Sequence, residues 1–498
     1  MDFLGFVNGA KTKLVSPAGY GKTFTIVECL KHTEGKQLIL THTHAGIGSI
    51  KEKIRNADIE STKYTIETIS SFAQQFVHAY CRKSDIPPQD KAREYHTFIT
   101  ERVARVLSSS LAQQAIAASY KGLFVDEYQD CSKGQHIIIQ LLSKVLPTHI
   151  LGDPLQGIFD FNGDKVDMDT DLPDFTQFPD LDTPHRWYKD GNNKALGDVL
   201  KDYRELLLQK KPIILTGDNS IGLHIISIND GDLYDSTSTY RKKLDSIINN
   251  KTNLEGMDSL LILVPEYDDV VDGKKVSKGS IVQRAKLRDQ IDYAKKLSLL
   301  EAIDDKLFYS LAKDADELLK SIGRARKKYK KIKESILDKL FQASKLSQWF
   351  NGEGLISKKS PADKETSEKI RMPLDIFIKT PSALHLFNVV DKLRKYLKLK
   401  YKREEVGRSF ANSLQQSHLN NISIYDAIKD NRNLIRRTGR KVNGRCIGTT
   451  LLTKGLEFDT VVLMDAHRFD SPNHLYVALT RCCKRLIIFT ATSTLSPY

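Results

Sequence analysis

The chain has 498 residues, is 40% hydrophobic and 28% charged, and carries a formal net charge of +14. This balance fits a folded chain with a core and excludes disordered, collagen-like and low-complexity classes. No apolar run approaches the roughly 18–20 residues that span a bilayer, and the six cysteines, none in CxxC spacing, frame neither a disulfide scaffold nor a zinc site. Met1-Asp2-Phe3-Leu4-Gly5 lacks the basic segment that opens a secretory signal. The expected setting is therefore reducing and cytoplasmic, with no membrane. The basic balance points toward nucleic acid.

In chain order, Lys13–Ser16, Gln37–Thr41, Leu123–Asp126 and His149–Gly152 read as short buried strands. Helical stretches separate them, including Asp90 to Tyr120, which predicts a parallel sheet with crossovers. Pro212–Thr216, Leu223–Ile228 and Ser259–Val264 follow as strands. From about Ile281 to Asp430 the chain turns Lys-, Leu- and Ala-rich with helical spacing, and Pro361 and Pro373 mark breaks. Strand signal returns at Arg445–Thr449, Thr460–Asp465 and Arg485–Thr490. The pattern is an α/β region interrupted by a helical insertion. Charge is uneven along it: Ser321–Leu340 is net +6, Asp391–Arg408 net +5 and Asp164–Asp182 net −6. Any one such run also reads as a solvated helix face.

Two segments carry chemistry. Ser16-Pro17-Ala18-Gly19-Tyr20-Gly21-Lys22-Thr23 lies between a strand and a helix. Its glycines let backbone N–H groups turn toward phosphate oxygens, Lys22 can reach the β/γ-phosphates, and Thr23 can hold Mg²⁺. Ser16 stands where the strict phosphate-loop pattern has Gly. The second is Leu123-Phe124-Val125-Asp126-Glu127-Tyr128-Gln129-Asp130, an apolar strand ending in two carboxylates. Asp126 can bind Mg²⁺ through water, and Glu127 can accept a proton from an attacking water.

Asp126-Glu127-Tyr128-Gln129-Asp130 resembles motif II of the UvrD/Rep/PcrA group of superfamily 1 DNA helicases. Leu40-Thr41-His42-Thr43-His44-Ala45 resembles motif Ia, Thr68-Ile69-Ser70-Ser71-Phe72 motif Ib, and Leu151-Gly152-Asp153-Pro154-Leu155-Gln156-Gly157-Ile158-Phe159 motif III. Leu181-Asp182-Thr183-Pro184-His185-Arg186-Trp187 resembles motif IV, Thr453-Lys454-Gly455-Leu456-Glu457-Phe458 motif V, and Leu475-Tyr476-Val477-Ala478-Leu479-Thr480-Arg481 motif VI. Their order over residues 16–481 is more specific than any single match.

The resemblance implies an α/β fold of two RecA-like parallel-sheet domains with a helical insertion in the second. The first would span 1–180, with a reduced helical insert at about 85–120. The second would comprise 181–285 and 436–498, interrupted by a basic helical insertion at 286–435. ATP, with other NTPs admissible, would bind with Mg²⁺ between the domains. Ala18, Gly19, Tyr20, Gly21, Lys22, Thr23, Phe24, His185 and Glu457 would hold the nucleotide, and Thr23 and Asp126 the metal. Glu127 would be the base, Gln156 the γ-phosphate sensor, and Arg186 and Arg481 the arginine fingers. His42, Thr43, Ser71, Phe161 and Lys454 would face DNA, mainly single-stranded or with a single-stranded tail.

The departures from the family are specific. Residues 1–13 contain no Gln to read adenine, and His185 and Phe24 replace the usual base-clamping residues. His42, Asn162 and Leu451 replace DNA-side residues, weakening stacking worth ~1–3 kcal/mol per base. The implied activity is an NTP-dependent helicase or translocase moving 3′ to 5′, in DNA repair or in anti-phage defence. The defence setting follows from likeness in size to the helicase subunit of Gabija-type systems, which works with an OLD-family nuclease. The alternative is a DNA-responsive NTPase that senses DNA and controls a partner nuclease without processive unwinding.

Overall fold

The computed structural model describes the chain except residues 43, 90, 160–164, 190–191, 230–232, 234, 236, 250–258, 267, 272–273, 278, 293–296, 302–304, 322–323, 359 and 439–443. It divides into two compact units, Met1–Leu300 with Arg437–Tyr498, and Glu301–Arg436.

The larger unit holds two six-stranded parallel sheets. The first contains β1 (Lys11–Val15), β2 (Gln37–Thr41), β3 (Tyr64–Thr68), β4 (Gly122–Val125), β5 (Thr148–Gly152) and β6 (Thr176–Gln177), in the spatial order β3-β2-β4-β5-β1-β6. Then come β7 (Ile213–Ile214), β8 (Leu223–Ser227), β9 (Leu260–Leu263), β10 (Asp268–Val271), β11 (Lys274–Ser277), β12 (Ser298–Leu299), β13 (Arg445–Gly448), β14 (Phe458–Leu463), β15 (Cys482–Thr490) and β16 (Thr494–Leu495). The second sheet runs β12-β13-β9-β14-β15-β8, while β10–β11 and β7–β16 form small antiparallel pairs. This is the expected α/β architecture of two RecA-like domains.

Parallel strands bury both faces, so their sequences are nearly continuous apolar runs. Successive side chains still alternate between faces. In β2, Leu38 and Leu40 enter one core and Ile39 the opposite one. In β9, Leu261 and Leu263 point one way, Leu260 and Ile262 the other.

Two expectations change. Of Pro212–Thr216 only Ile213–Ile214 is strand, and it pairs antiparallel with β16 outside the main sheet. The helices expected within Asp90–Tyr120 are Ala92–Leu107 and Ser110–Ser119, whose Tyr95, Ile99, Val103, Leu107 and Ile116 pack into the first sheet's core. Pro373 does not break the chain; it sits inside helix Lys364–Lys379. A proline there removes one backbone hydrogen bond, and burial of Ile370, Leu374 and Phe377 on the same helix offsets the loss.

Ile291, Leu297 and β12 pack with the second sheet, and the helical unit begins at Glu301. Its core joins helices Lys306–Lys320, Ala383–Tyr396 and Glu404–Asn420 through residues such as Phe308, Leu386 and Phe410. Among the described residues no helix is long and apolar enough to cross a membrane.

Candidate functional site

β4, β5 and β1 lie side by side. Their C-terminal ends therefore bring Asp126–Glu127, Asp153 and the loop after Val15 together, where open α/β sheets bind ligands. The loop needs its glycines: Gly19 and Gly21 have φ of 81° and 98°, in the left-handed region that disfavours L side chains. A Cβ on Gly19 would also lie 2.6 Å from the Trp187 ring. The helix Lys22–Lys31 starts at Gly21, so its free N–H groups face the loop.

Lys22 is buried and its Nζ lies 2.7 Å from Glu127 Oε1. Burial works against its charge, but Glu127 and then Asp126 outweigh that and raise its pKa. Glu127 itself takes a left-handed backbone, φ 58°, a conformation that costs a residue with a Cβ. Gln129 donates to Glu127 Oε2 at 2.6 Å, and Lys454 Nζ lies 3.4 Å from the same oxygen. Burial alone would raise the Glu127 pKa; Lys22 and Lys454 reverse this and hold it ionised, well below the usual carboxylate range.

Asp126 behaves oppositely. Burial and the neighbouring Glu127 charge push its pKa up against the pull of Lys22. Its Oδ1 is buried without a hydrogen-bond partner among the described residues. A buried carboxylate oxygen with unmet charge fits a hard cation. Thr23, half-buried in the adjoining helical turn, is the other candidate ligand. No cluster of three or more His, Cys, Asp or Glu among the described residues is placed to hold a metal.

The second sheet supplies the remaining side chains. Lys454, 2% exposed, bonds Asp130 and the Gln156 carbonyl. Its ammonium is thus occupied by two carboxylates and a carbonyl. Arg186 bonds the Thr480 carbonyl and Glu457 Oε1, the latter at 3.0 Å. Glu457 is held down to about 2 by Arg186. Arg481, 1% exposed, donates to the Val477 carbonyl at 2.9 Å and the Leu456 carbonyl at 3.3 Å. Burial, then Arg186, lowers it to about 10.

The side chain of Gln156 donates to Asp153 Oδ2 at 2.9 Å. Asp153, fully buried, also pairs with Arg204 at 3.1 Å and takes the role of N-cap for the turn Pro154–Gln156. Ala18 donates its N–H to the Tyr476 hydroxyl at 3.2 Å, and Tyr20 is buried. His185 and the exposed Phe24 flank Gly21: a Cβ there would meet His185 Cδ2 at 3.3 Å and Phe24 Cβ at 3.9 Å.

Of the remaining DNA-side residues, Thr43 and Phe161 lie outside the described residues. Ser71 is buried; its hydroxyl accepts from Thr68 Oγ1 at 2.8 Å, and its N–H donates to the same Thr68 oxygen, which caps the helix. The His42 ring lies 4.6 Å from that of Phe159.

Sequence reasoning missed Arg204, Asp153 and Asn473 as site-building residues. Arg204 had a signal: in helix Lys194–Leu208 it falls on the stripe of Leu196, Leu200 and Leu207, a core position for an arginine. Such a cation needs a buried partner.

Residues 89–172 match the family model of the UvrD/REP helicase N-terminal domain. No curated protein matches the chain. Solved structures that match include the arterivirus nonstructural protein 10 helicase in complex with DNA, at 16% identity and a TM-score of 0.26, over 46% of this chain and 49% of that one. A crystal structure of arterivirus nonstructural protein 10 (helicase) matches at 10% identity and a TM-score of 0.29, over 98% of this chain and 63% of that one. The chain thus spans about half to two thirds of those chains. The match agrees with the motif order and makes the chain similar, over residues 89–172, to UvrD/REP helicases.

Proposed function

We propose that the protein is an NTP-driven DNA helicase or translocase that moves 3′ to 5′ on single-stranded DNA, with ATP as the main fuel. The observation that carries this reading is the meeting of Lys22 and Glu127 from the first sheet with Lys454 from the second, 2.7 and 3.4 Å from one carboxylate. Such a junction makes the hydrolytic base sensitive to how the two sheets are apposed.

Each side chain then has a task. The Gly19–Gly21 backbone and the helix N-terminus cradle phosphate, and Lys22 exchanges its Glu127 contact for phosphate oxygens. Asp126 and Thr23 would hold Mg²⁺, which supplies charge neutralisation on the phosphates. Glu127, held as a carboxylate, takes the proton of the attacking water. Arg186 and Arg481 exchange their carbonyl contacts for the charge that develops in phosphoryl transfer. Gln156 senses the terminal phosphate, and Glu457 lies beside the sugar. His185 and Phe24 hold the base by stacking, with little to discriminate adenine.

The regulatory alternative draws on one observation: Lys454 and Ser71 are buried rather than presented to DNA. One preparation separates the readings. NTP turnover is measured with and without single-stranded DNA, beside strand displacement on 3′- and 5′-tailed duplexes. Stimulation with displacement of 3′-tailed duplex supports the helicase; stimulation without displacement supports a DNA-sensing NTPase. Turnover indifferent to DNA sinks both. Co-purification with a nuclease distinguishes a defence setting from repair.

A further inference from the structure

We propose that Asn473 is a positioning residue of the hydrolytic site, its amide tying the turn that carries Gln156 to the helix that ends beside Arg481. The inference rests on the NTPase reading above. The turn Pro154–Gln156 has three residues, too short to hold its own orientation. Asn473 Nδ2 donates to the Pro154 carbonyl and to the Gly157 carbonyl, each at 2.9 Å. An amide nitrogen has two hydrogens, so both are spent on the carbonyls that bracket Gln156. Gly157 leaves room for this grip: a Cβ there would lie 3.2 Å from the Pro154 carbonyl oxygen and 3.6 Å from Asn473 Nδ2.

The other end of the link is rigid. Asn473 lies in the first turn of helix Pro472–Leu479, whose Leu475, Tyr476 and Leu479 are buried. Leu155, from the turn itself, packs into the same core cluster. Tyr476 reaches the phosphate loop at Ala18, and Arg481 follows two residues after the helix. A shift of Gln156 toward a terminal phosphate therefore moves the turn, and Asn473 passes that movement to the helix and its arginine. Lys454 grips the same turn through the Gln156 carbonyl but also touches Glu127. Its loss would mix chemistry with positioning. Asn473 bonds backbone carbonyls, so its substitution isolates the link.

The test uses the full chain with Asn473→Ala, which deletes the amide, and Asn473→Asp, which keeps the shape but removes the donors. Steady-state ATP hydrolysis is measured with and without oligo-dT, beside binding of a fluorescent non-hydrolysable ATP analogue and thermal melting. Loss of two hydrogen bonds predicts a kcat lower by about tenfold in both variants. KM and analogue affinity should stay within about twofold of wild type. In a Gln156→Ala background, adding Asn473→Ala should cost less than about twofold more, because the link then has nothing to transmit. Lower melting with unchanged kcat would make Asn473 a merely structural tie and overturn the proposal, as would full multiplicativity with Gln156→Ala. If one variant does not fold, the other carries the same comparison. A wild-type chain that hydrolyses no NTP sinks the NTPase reading and the link together; an active wild type matched by both variants in kcat sinks the link alone.

Discussion

Two cation-rich regions of this chain are built on opposite plans. Around the phosphate loop, Lys22, Lys454, Arg186 and Arg204 come from distant points of the sequence and meet Glu127, Asp130, Asp153 and Glu457 largely out of water. In the Ser321–Leu340 run of the helical unit the charge is dense in sequence and spent on single nearby carboxylates. Arg326 pairs with Glu353, Lys331 with Glu317, Lys333 with Asp338 and Lys339 with Asp314. A surface pair of that kind contributes about 0–1 kcal/mol. Removing one partner of a buried pair leaves a charge with no solvent and costs ~3–5 kcal/mol. Density of charge along a sequence is thus a poor guide to a site; convergence of charge from separate strands is a good one.

The contrast is broken most directly at the arginines. Arg186→Ala and Arg481→Ala should each lower DNA-stimulated turnover by ~10³–10⁵ with much smaller effects on nucleotide affinity. A loss under about threefold in either variant would make that arginine a scaffold residue. Glu127→Gln should follow, with turnover down by ~10²–10⁴ and nucleotide binding kept. Lys22→Ala, in contrast, should lose binding and turnover together. Near wild-type turnover in Glu127→Gln would remove the base from its role.

A buried group without a charge partner sharpens the comparison further. His149 is 1% exposed, accepts or donates one bond to Thr12 at 2.8 Å, and burial lowers its pKa to about 4 from 6.5. The folded chain keeps it neutral where the unfolded chain takes up a proton. Its contribution is present above pH 6.5 and is lost as pH falls from there toward 4, by up to ~3 kcal/mol. His149→Gln should flatten the melting temperature across that window. An unchanged acid slope would mean that other groups carry it.

The smallest stability effect belongs to the helical unit. Arg324 and Lys327 are exposed, Lys331 pairs only at 3.6 Å, and Lys395 rests 5.9 Å over the Tyr396 ring. Reversing these four charges should barely move the melting temperature. If they meet phosphates, DNA affinity falls and the salt slope flattens by about 0.7 for each contact on single strands. Unchanged affinity and slope would leave them a solvated face.

The sequence by itself determined what local chemistry can write. Gly19 and Gly21 must adopt conformations open to glycine, Lys22 must open the next helix, and an apolar strand must end at Asp126–Glu127. Continuous apolar runs such as Gln37–Thr41 and Leu260–Leu263 announced strands buried on both faces. β3 escaped notice because Tyr64–Thr68 is largely polar, as an edge strand can be. Tertiary structure decided the partners. Packing sets Lys454 beside Asp130 and Glu127. Arg204 reaches Asp153, and Asn473 grips the turn around Gln156. The helices at 92–119 find their packing partners in the first sheet's core. Backbone conformation and burial periodicity are short-range properties, written within a few residues. The partner of a buried charge or amide depends on which distant strand ends arrive beside it, and only the closed arrangement of both sheets specifies that.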